Sequence, residues 1–158
     1  EALSGFESRY HVVPPLRTEA DRKALIRGVE EGAIDAIVSQ HQPHDSAAKQ
    51  APLGETEPGL STVESVFSMG LSLVAAGELS MESLLKALTE GPAGVIGVDS
   101  RLQQGAAASF SLWDLQGQWQ ASPETLLSRG GHVPVPDQPL TGVPHWTIAE
   151  GRIAYRLE

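Results

Sequence analysis

The chain of 158 residues contains no cysteine, which excludes a disulfide framework, a thiolate metal site and a cysteine nucleophile. Aromatic residues make up only 5% of it, and 11 Lys and Arg stand against 20 Asp and Glu. The resulting net charge of −9 opposes binding to phosphate backbones and to anionic lipid. We therefore expect no nucleic-acid partner, and the missing cysteines favour a reducing, cytoplasmic location.

Long hydrophobic runs are also missing. No apolar run approaches the about 20 residues that a membrane-spanning helix needs, and the first ten residues are too polar for a secretory signal. We expect no membrane segment. The hydrophobic fraction of 41% is that of one ordinary globular domain. The chain begins with Glu1 and opens like the middle of a domain, which predicts a piece of a larger protein.

The first part of the chain alternates between strand and helix patterns. Tyr10–Val13 is short, rich in β-formers and followed by two prolines, and Ile34–Ser39 is an almost continuous apolar run of strand length. Both predict strands, the second one buried in a parallel sheet. Between them, Thr18 and Asp21 form a capping pattern that predicts a helix over residues 18–31.

Three further helices are predicted after a polar loop. The pattern from Ser61 to Glu64 resembles a capping box and predicts the start of the first helix. Ser80 is the predicted cap of the second, which carries leucines at helical spacing. Pro92 fits the first turn of a short third helix that reaches about Val98. These elements give residues 1–98 an α/β character.

The amino-acid composition changes after about Asp99, where Gly, Pro and Gln become frequent. The pair Glu150-Gly151 predicts a hairpin turn, because glycine readily adopts positive φ. We predict that residues 99–158 form a small β domain. Its predicted strands are Ser109–Leu115, His145–Ala149 and Arg152–Leu157.

The most informative string is Ser39–His44, which directly follows a predicted buried strand. In barrels of alternating strands and helices, chemistry is built at the carboxyl ends of the strands. By themselves, two histidines three residues apart are more often hydrogen-bonded or surface residues than metal ligands. The string therefore leaves both roles open.

Longer stretches carry a family resemblance. YHVVPPLR, then TEADRKALIRGVEEG and AIDAIVSQHQPH, resemble the dihydroorotase family of the amidohydrolase superfamily, in which an Asp-His-Ala-Pro-His type motif follows such a strand. The match continues through Lys49 and Leu88–Gly97 to GAAASFSLWD and TIAEGRIAY. The resemblance implies an α/β fold, the C-terminal part of a (β/α)8 TIM-type barrel with strands seven and eight. It also implies a small β unit formed with the C-terminal tail.

The resemblance places Gln40 where the family has a catalytic Asp that binds metal and takes the proton of the attacking water. A glutamine amide cannot accept that proton and supplies no negative charge to a metal. Loss of a positioned general base removes about 10² to 10⁴-fold in rate. We therefore expect no catalytic residue, no metal ligand and no cofactor in this chain.

Five other residues are expected to be remnants of a substrate pocket. The family usually has Asn where this chain has Val13, and Ala where it has Gln42, whose longer side chain would crowd the pocket. The resemblance makes His44 the substrate-contacting His and brings Ala51 near a position whose backbone contacts substrate. Arg17 fits an anion contact and equally a salt bridge to a nearby carboxylate.

The predicted function is a catalytically inactive, structural or regulatory subunit that supports aspartate carbamoyltransferase in de novo pyrimidine biosynthesis. Its expected partners are the catalytic chain of that transferase and the N-terminal half of its own barrel, in an oligomer. One alternative is an active zinc-dependent dihydroorotase or other cyclic amidohydrolase with Asp45 as a substitute base. Another is a module that senses a dihydroorotate-like ligand through His44 and Arg17.

Overall fold

A computed structural model of the protein describes residues 4–135 and 138–157. The helices are α1 Glu19–Glu30, α2 Val66–Ala75, α3 Met81–Leu88 and α4 Glu90–Ile96, and the strands are β1 Phe110–Gln120, β2 Pro139–Ala149 and β3 Arg152–Arg156. Short 3-10 turns occupy Ser8–Tyr10, Ser46–Lys49 and Leu53–Glu55. None of the described helices has the length and apolar character that crossing a bilayer requires.

The described residues group into two compact units, each assembled from separate stretches of the chain. The first unit takes its residues from Glu1–Ala24, Val38–Val66 and Gln120–Leu140. The second takes them from Leu25–Ile37, Phe67–Trp119 and Thr141–Glu158. The described helices end by residue 96 and the described strands begin at residue 110. The change of composition after about Asp99 therefore marks a change from helices to strands. A domain boundary between residues 98 and 99 stays a prediction.

The apolar core of the second unit centres on three leucines, Leu71, Leu79 and Leu84. Leu84 is 1% exposed. Helix α2 packs closely on this leucine because residue 70 is glycine: a Cβ at Gly70 would stand 2.4 Å from Leu84 Cδ1. The side chains around the three leucines are Ile26, Val29, Ile37, Phe67, Leu73, Val74, Met81 and Leu88.

Local capping signals predicted several helix ends correctly. Thr18 Oγ1 accepts from the backbone N of Asp21 at 3.2 Å, and Asp21 Oδ2 accepts from the backbone N of Thr18 at 3.1 Å. Ser80 Oγ accepts from the backbone N of Ser83 at 3.1 Å at the start of α3. The predicted short third helix is α4, which ends at Ile96 and is followed by the capping residue Gly97 with a φ of 72°.

The strands form a sheet in the order β1-β2-β3, as the β-type runs predicted. β2 and β3 pair antiparallel around Glu150 and Gly151, whose φ values of 51° and 77° match the predicted hairpin turn. β2 begins earlier than predicted. It includes Gly142, where a Cβ would lie 2.6 Å from Leu71 Cδ1 and whose carbonyl accepts from Ser68 Oγ at 3.1 Å.

Two predicted strands are wrong in the described residues. Tyr10 is the last residue of the 3-10 turn Ser8–Tyr10, residues 11–13 form no strand, and the carbonyl of His11 accepts from the backbone N of Gly59 at 2.9 Å. Ile34–Ser39 is irregular, and the backbone N of Ile37 donates to a carbonyl of α3 at 2.9 Å. Both segments bond to loops and a helix end, whereas a strand exists only through a hydrogen-bonded neighbour.

The helix start predicted at Ser61–Glu64 is also wrong, since α2 begins at Val66. Ser61 Oγ donates to the carbonyl of Gly130 at 2.6 Å. The Glu64 carboxylate accepts from the backbone N atoms of Leu127 and Ser128, both at 2.9 Å. These side chains hold a loop 63 to 69 residues further along the chain, so they are not available to cap the helix.

Replacing the core residue Leu84 with Ala should lower the free energy of unfolding by about 2 to 5 kcal/mol, because the buried side chain leaves a cavity among packed neighbours. The matched control is Leu85→Ala in the same helix, where the side chain is 44% exposed and the change should stay within about 0.5 kcal/mol. Denaturant unfolding of both variants measures the difference. Equal losses would contradict the assignment of the core face.

Candidate functional site

A pocket of about 250 Å³ lies in the first unit, beside the residue that the sequence singled out as decisive, Gln40. None of its lining residues carries a charged side chain. The pocket therefore offers amide, hydroxyl and apolar groups to a ligand. The lining residues are Val12, Val13, Pro14, Ser39, Gln40, Gln42, Gly59, Leu60 and Thr62.

The polar wall of this pocket is the segment Ser39–Gln42, which is tied to Leu60–Thr62. The backbone N of Gln42 donates to the Leu60 carbonyl at 2.9 Å, and Thr62 Oγ1 donates to the Ser39 carbonyl at 2.6 Å. His41 and Leu60 form a parallel bridge. Gln40 has a φ of 50°, a left-handed backbone that costs a non-glycine residue about 1 to 2 kcal/mol.

Three of the six sequence-predicted site residues meet in this pocket. They are Val13, Gln40 and Gln42. The other three lie in the same unit but outside the lining. They are His44, Ala51 and Arg17.

His44 does not line the pocket but lies close to Gly59, which does. Its Nε2 donates to the Pro58 carbonyl at 3.0 Å, and this places Nε2 3.0 Å from where a Cβ on Gly59 would stand. Gly130 approaches the same loop, because a Cβ there would lie 2.7 Å from Pro43 Cβ and 2.9 Å from the His44 backbone N. The imidazole therefore supports a wall of the pocket.

Arg17 forms the salt bridge that was one of its two predicted roles. Its Nε lies 3.7 Å from Asp21 Oδ2, and its side chain is 69% exposed. The Asp21 carboxylate also accepts from Thr18 Oγ1 at 2.8 Å, and these partners lower the pKa of Asp21. Ala51 follows the 3-10 turn Ser46–Lys49 and is half-buried.

Asp45, the candidate substitute base, uses its carboxylate as a cap. Oδ1 accepts from the backbone N of Ala47 at 3.0 Å and of Ala48 at 3.1 Å. Its backbone carbonyl accepts from His132 Nε2 at 2.8 Å. Asp45 does not line the pocket. Its carboxylate caps the turn that follows it.

Sequence reasoning missed a structural role for Lys49, which it named only as part of the stretch that resembles the family. The residue is 7% exposed. Its Nζ donates to the carbonyl of His11 at 2.9 Å and to that of Glu57 at 2.6 Å. Burial lowers the pKa of Lys49, and the charge of Glu57 opposes this shift. Lys49 thus links His11, which precedes the pocket residue Val12, to Glu57, which lies two residues before the pocket residue Gly59.

His11 is a hydrogen-bonded residue in the same region. Its Nδ1 lies 2.8 Å from Thr56 Oγ1, and that hydroxyl donates its own proton to the Leu53 carbonyl at 2.9 Å. His11 Nδ1 must therefore be the donor.

The described residues, 4–135 and 138–157, hold no cluster of three or more His, Asp or Glu side chains arranged to bind a metal ion. Each of the three candidate ligand residues near the pocket has a side-chain atom engaged with the backbone. His41 Nδ1 accepts from backbone N–H groups, His44 Nε2 donates to a carbonyl, and the Asp45 carboxylate caps a turn. These residues do not form a metal centre by themselves.

No family model matches the chain. It is 42% identical over 156 residues to a dihydroorotase-like protein of Pseudomonas aeruginosa, covering 98% of this chain and 37% of that protein. A dihydroorotase-like protein of Pseudomonas putida is 41% identical over 159 residues, covering 100% and 37%. A dihydroorotase of Deinococcus radiodurans is 35% identical over 160 residues, covering 100% and 38%. The chain therefore spans a little over a third of these relatives' length.

Solved structures place the fold. The chain superposes on L-hydantoinase (dihydropyrimidinase) from Arthrobacter aurescens with a TM-score of 0.84 and 27% identity, covering 94% of this chain and 35% of that one. For D-hydantoinase (dihydropyrimidinase) from a Thermus species, the TM-score is 0.83 at 20% identity, with 94% and 34% covered. The predicted family resemblance and the predicted fold, part of an amidohydrolase TIM-type barrel, are confirmed.

Gly59→Ala should distort the pocket. A Cβ at this residue would lie 2.6 Å from Gln42 Cβ, and its φ of 132° disfavours any side chain. We expect a loss of about 2 to 4 kcal/mol in the free energy of unfolding, from the strained backbone and the overpacking together. Gly54→Ala is the control, because a Cβ there meets nothing within 4 Å. Denaturant unfolding measures both variants. If Gly59→Ala lost no more stability than Gly54→Ala, the close packing of Gly59 on Gln42 would be contradicted.

Proposed function

Because the chain is a relative of dihydroorotase-like proteins along its whole length, we propose that it belongs to a catalytically inactive member, a structural or regulatory subunit of aspartate carbamoyltransferase in pyrimidine biosynthesis. The proposal includes a cytoplasmic location. The observation that carries it is Gln40, a neutral amide in the pocket wall at the position where the family resemblance calls for an Asp. An amide cannot take the proton of an attacking water.

The surroundings of Gln40 support this proposal. Its neighbours in the pocket are neutral, so none of the lining side chains replaces the missing carboxylate. Asp45, the candidate substitute base, lies five residues after Gln40, and its Oδ1 accepts from two backbone N–H groups of the turn that follows it. A base displaced by even about 1 Å costs roughly 10²-fold in rate.

The competing function is an active, zinc-dependent cyclic amidohydrolase. The similarity to the Deinococcus radiodurans dihydroorotase favours it. It requires a substitute base and ligands that the described residues of this chain do not assemble. A ligand-sensing role through His44 and Arg17 is weaker, because neither side chain lines the pocket and Arg17 pairs with Asp21.

The deciding experiment measures zinc content and dihydroorotase turnover of the full-length protein, with Gln40→Asp and Gln42→Asp as paired variants. We expect less than stoichiometric zinc and background turnover in the unchanged protein. Gln40→Asp is the change expected to raise zinc retention or turnover, because it restores a carboxylate at the family's position. Gln42→Asp controls for adding a charge to the same pocket. Stoichiometric zinc with clear turnover in the unchanged protein would overturn the proposal.

The subunit role is tested separately, by mixing the full-length protein with the catalytic chain of aspartate carbamoyltransferase at micromolar concentration. Size-exclusion chromatography with light scattering should show one complex with a mass above that of either component. Separate elution of the two proteins would refute this part of the proposal, whatever the zinc measurement gives.

A further inference from the structure

The segment Ser39–Gln42 contains one residue that the pocket does not use. Ser39, Gln40 and Gln42 line the pocket, whereas His41 is half-buried and does not. Its Nδ1 instead faces the backbone N atoms of Thr62, at 3.0 Å, and Val63, at 3.3 Å.

These two N–H groups stand at the start of the turn that leads into α2. The carbonyl of Thr62 already accepts from the backbone N atoms of Ser65, at 3.1 Å, and Val66, at 3.0 Å. The first N–H groups of such a turn have no acceptor within it. A Ser, Thr, Asp or Asn side chain at the start usually supplies one. Here the acceptor comes from His41, 21 residues earlier.

The hydrogen bonds define the protonation state of the imidazole. An Nδ1 that accepts from two N–H donors carries no proton, so the proton of the neutral ring is on Nε2. The doubly protonated ring would turn an N–H toward two N–H groups. The cap therefore exists only with the neutral, Nε2-protonated ring.

We propose that His41 is the positioning residue of this pocket: its neutral imidazole caps the turn at Thr62 and Val63 and thereby holds Gln40 and Gln42 in the pocket wall. The wall and the turn share further bonds, from Thr62 Oγ1 to Ser39 and from the Gln42 backbone N to the Leu60 carbonyl. Losing the cap therefore loosens both sides together. The proposal holds whether or not the pocket catalyses a reaction.

The test combines ¹⁵N NMR of the histidines in the full-length protein with amide hydrogen exchange in His41→Ala and His41→Asn. The unchanged protein should show an unprotonated Nδ1 and a protonated Nε2 for His41. His41→Ala should speed exchange at the Thr62, Val63 and Gln42 amides by about 5- to 30-fold relative to amides of α3, as expected for a lost cap. His41→Asn should restore most of the protection, because its side-chain oxygen can accept the same bonds.

The control is His145→Ala, at an exposed histidine of the second unit, which should leave these amides unchanged. A protonated Nδ1 in the unchanged protein would overturn the proposal even if no variant folds. Unchanged exchange in His41→Ala, or equal exchange in the Ala and Asn variants, would overturn it as well. An equal rise of exchange in α3 would also overturn it, because His41→Ala would then cause a general loss of stability and not the loss of a local cap.

Discussion

The segment Ser39–Gln42 must satisfy its backbone groups without a full strand partner in the described residues, and it does so against Leu60–Thr62. One parallel bridge, two hydrogen bonds to main-chain carbonyls and the imidazole of His41 hold the two segments together. Leu60 and Ser61 are buried, and the peptide groups of buried residues require such partners. The position of each pocket side chain in this wall follows from that constraint.

The chemistry of the pocket follows from which polar groups remain uncommitted. The backbone engages His41, His44 and Asp45, each of which could serve as base or ligand in another arrangement. What faces the pocket is uncharged, with Gln40 and Gln42 as its amide groups. A neutral pocket favours binding through hydrogen bonds over proton transfer.

Local signals in the sequence predicted local structure well. The Thr18–Asp21 cap, the Ser80 cap and the Glu150-Gly151 turn each depend on residues within four positions of one another, and all three formed as expected. The errors share a cause. The strands expected at Tyr10–Val13 and Ile34–Ser39 need neighbours that sequence spacing does not provide, and their backbone groups bond to other elements.

The sequence by itself determined the family resemblance, the helices and the chemical identity of Gln40, because these depend on residue type and short spacing. Only the tertiary structure decided what the charged and titratable groups do. It assigned Glu64 to a loop far along the chain, Asp45 to a turn and the buried Lys49 to the carbonyls of His11 and Glu57. These outcomes depend on which donors and acceptors the folded chain brings within about 3 Å of one another, and spacing along the chain does not encode that distance.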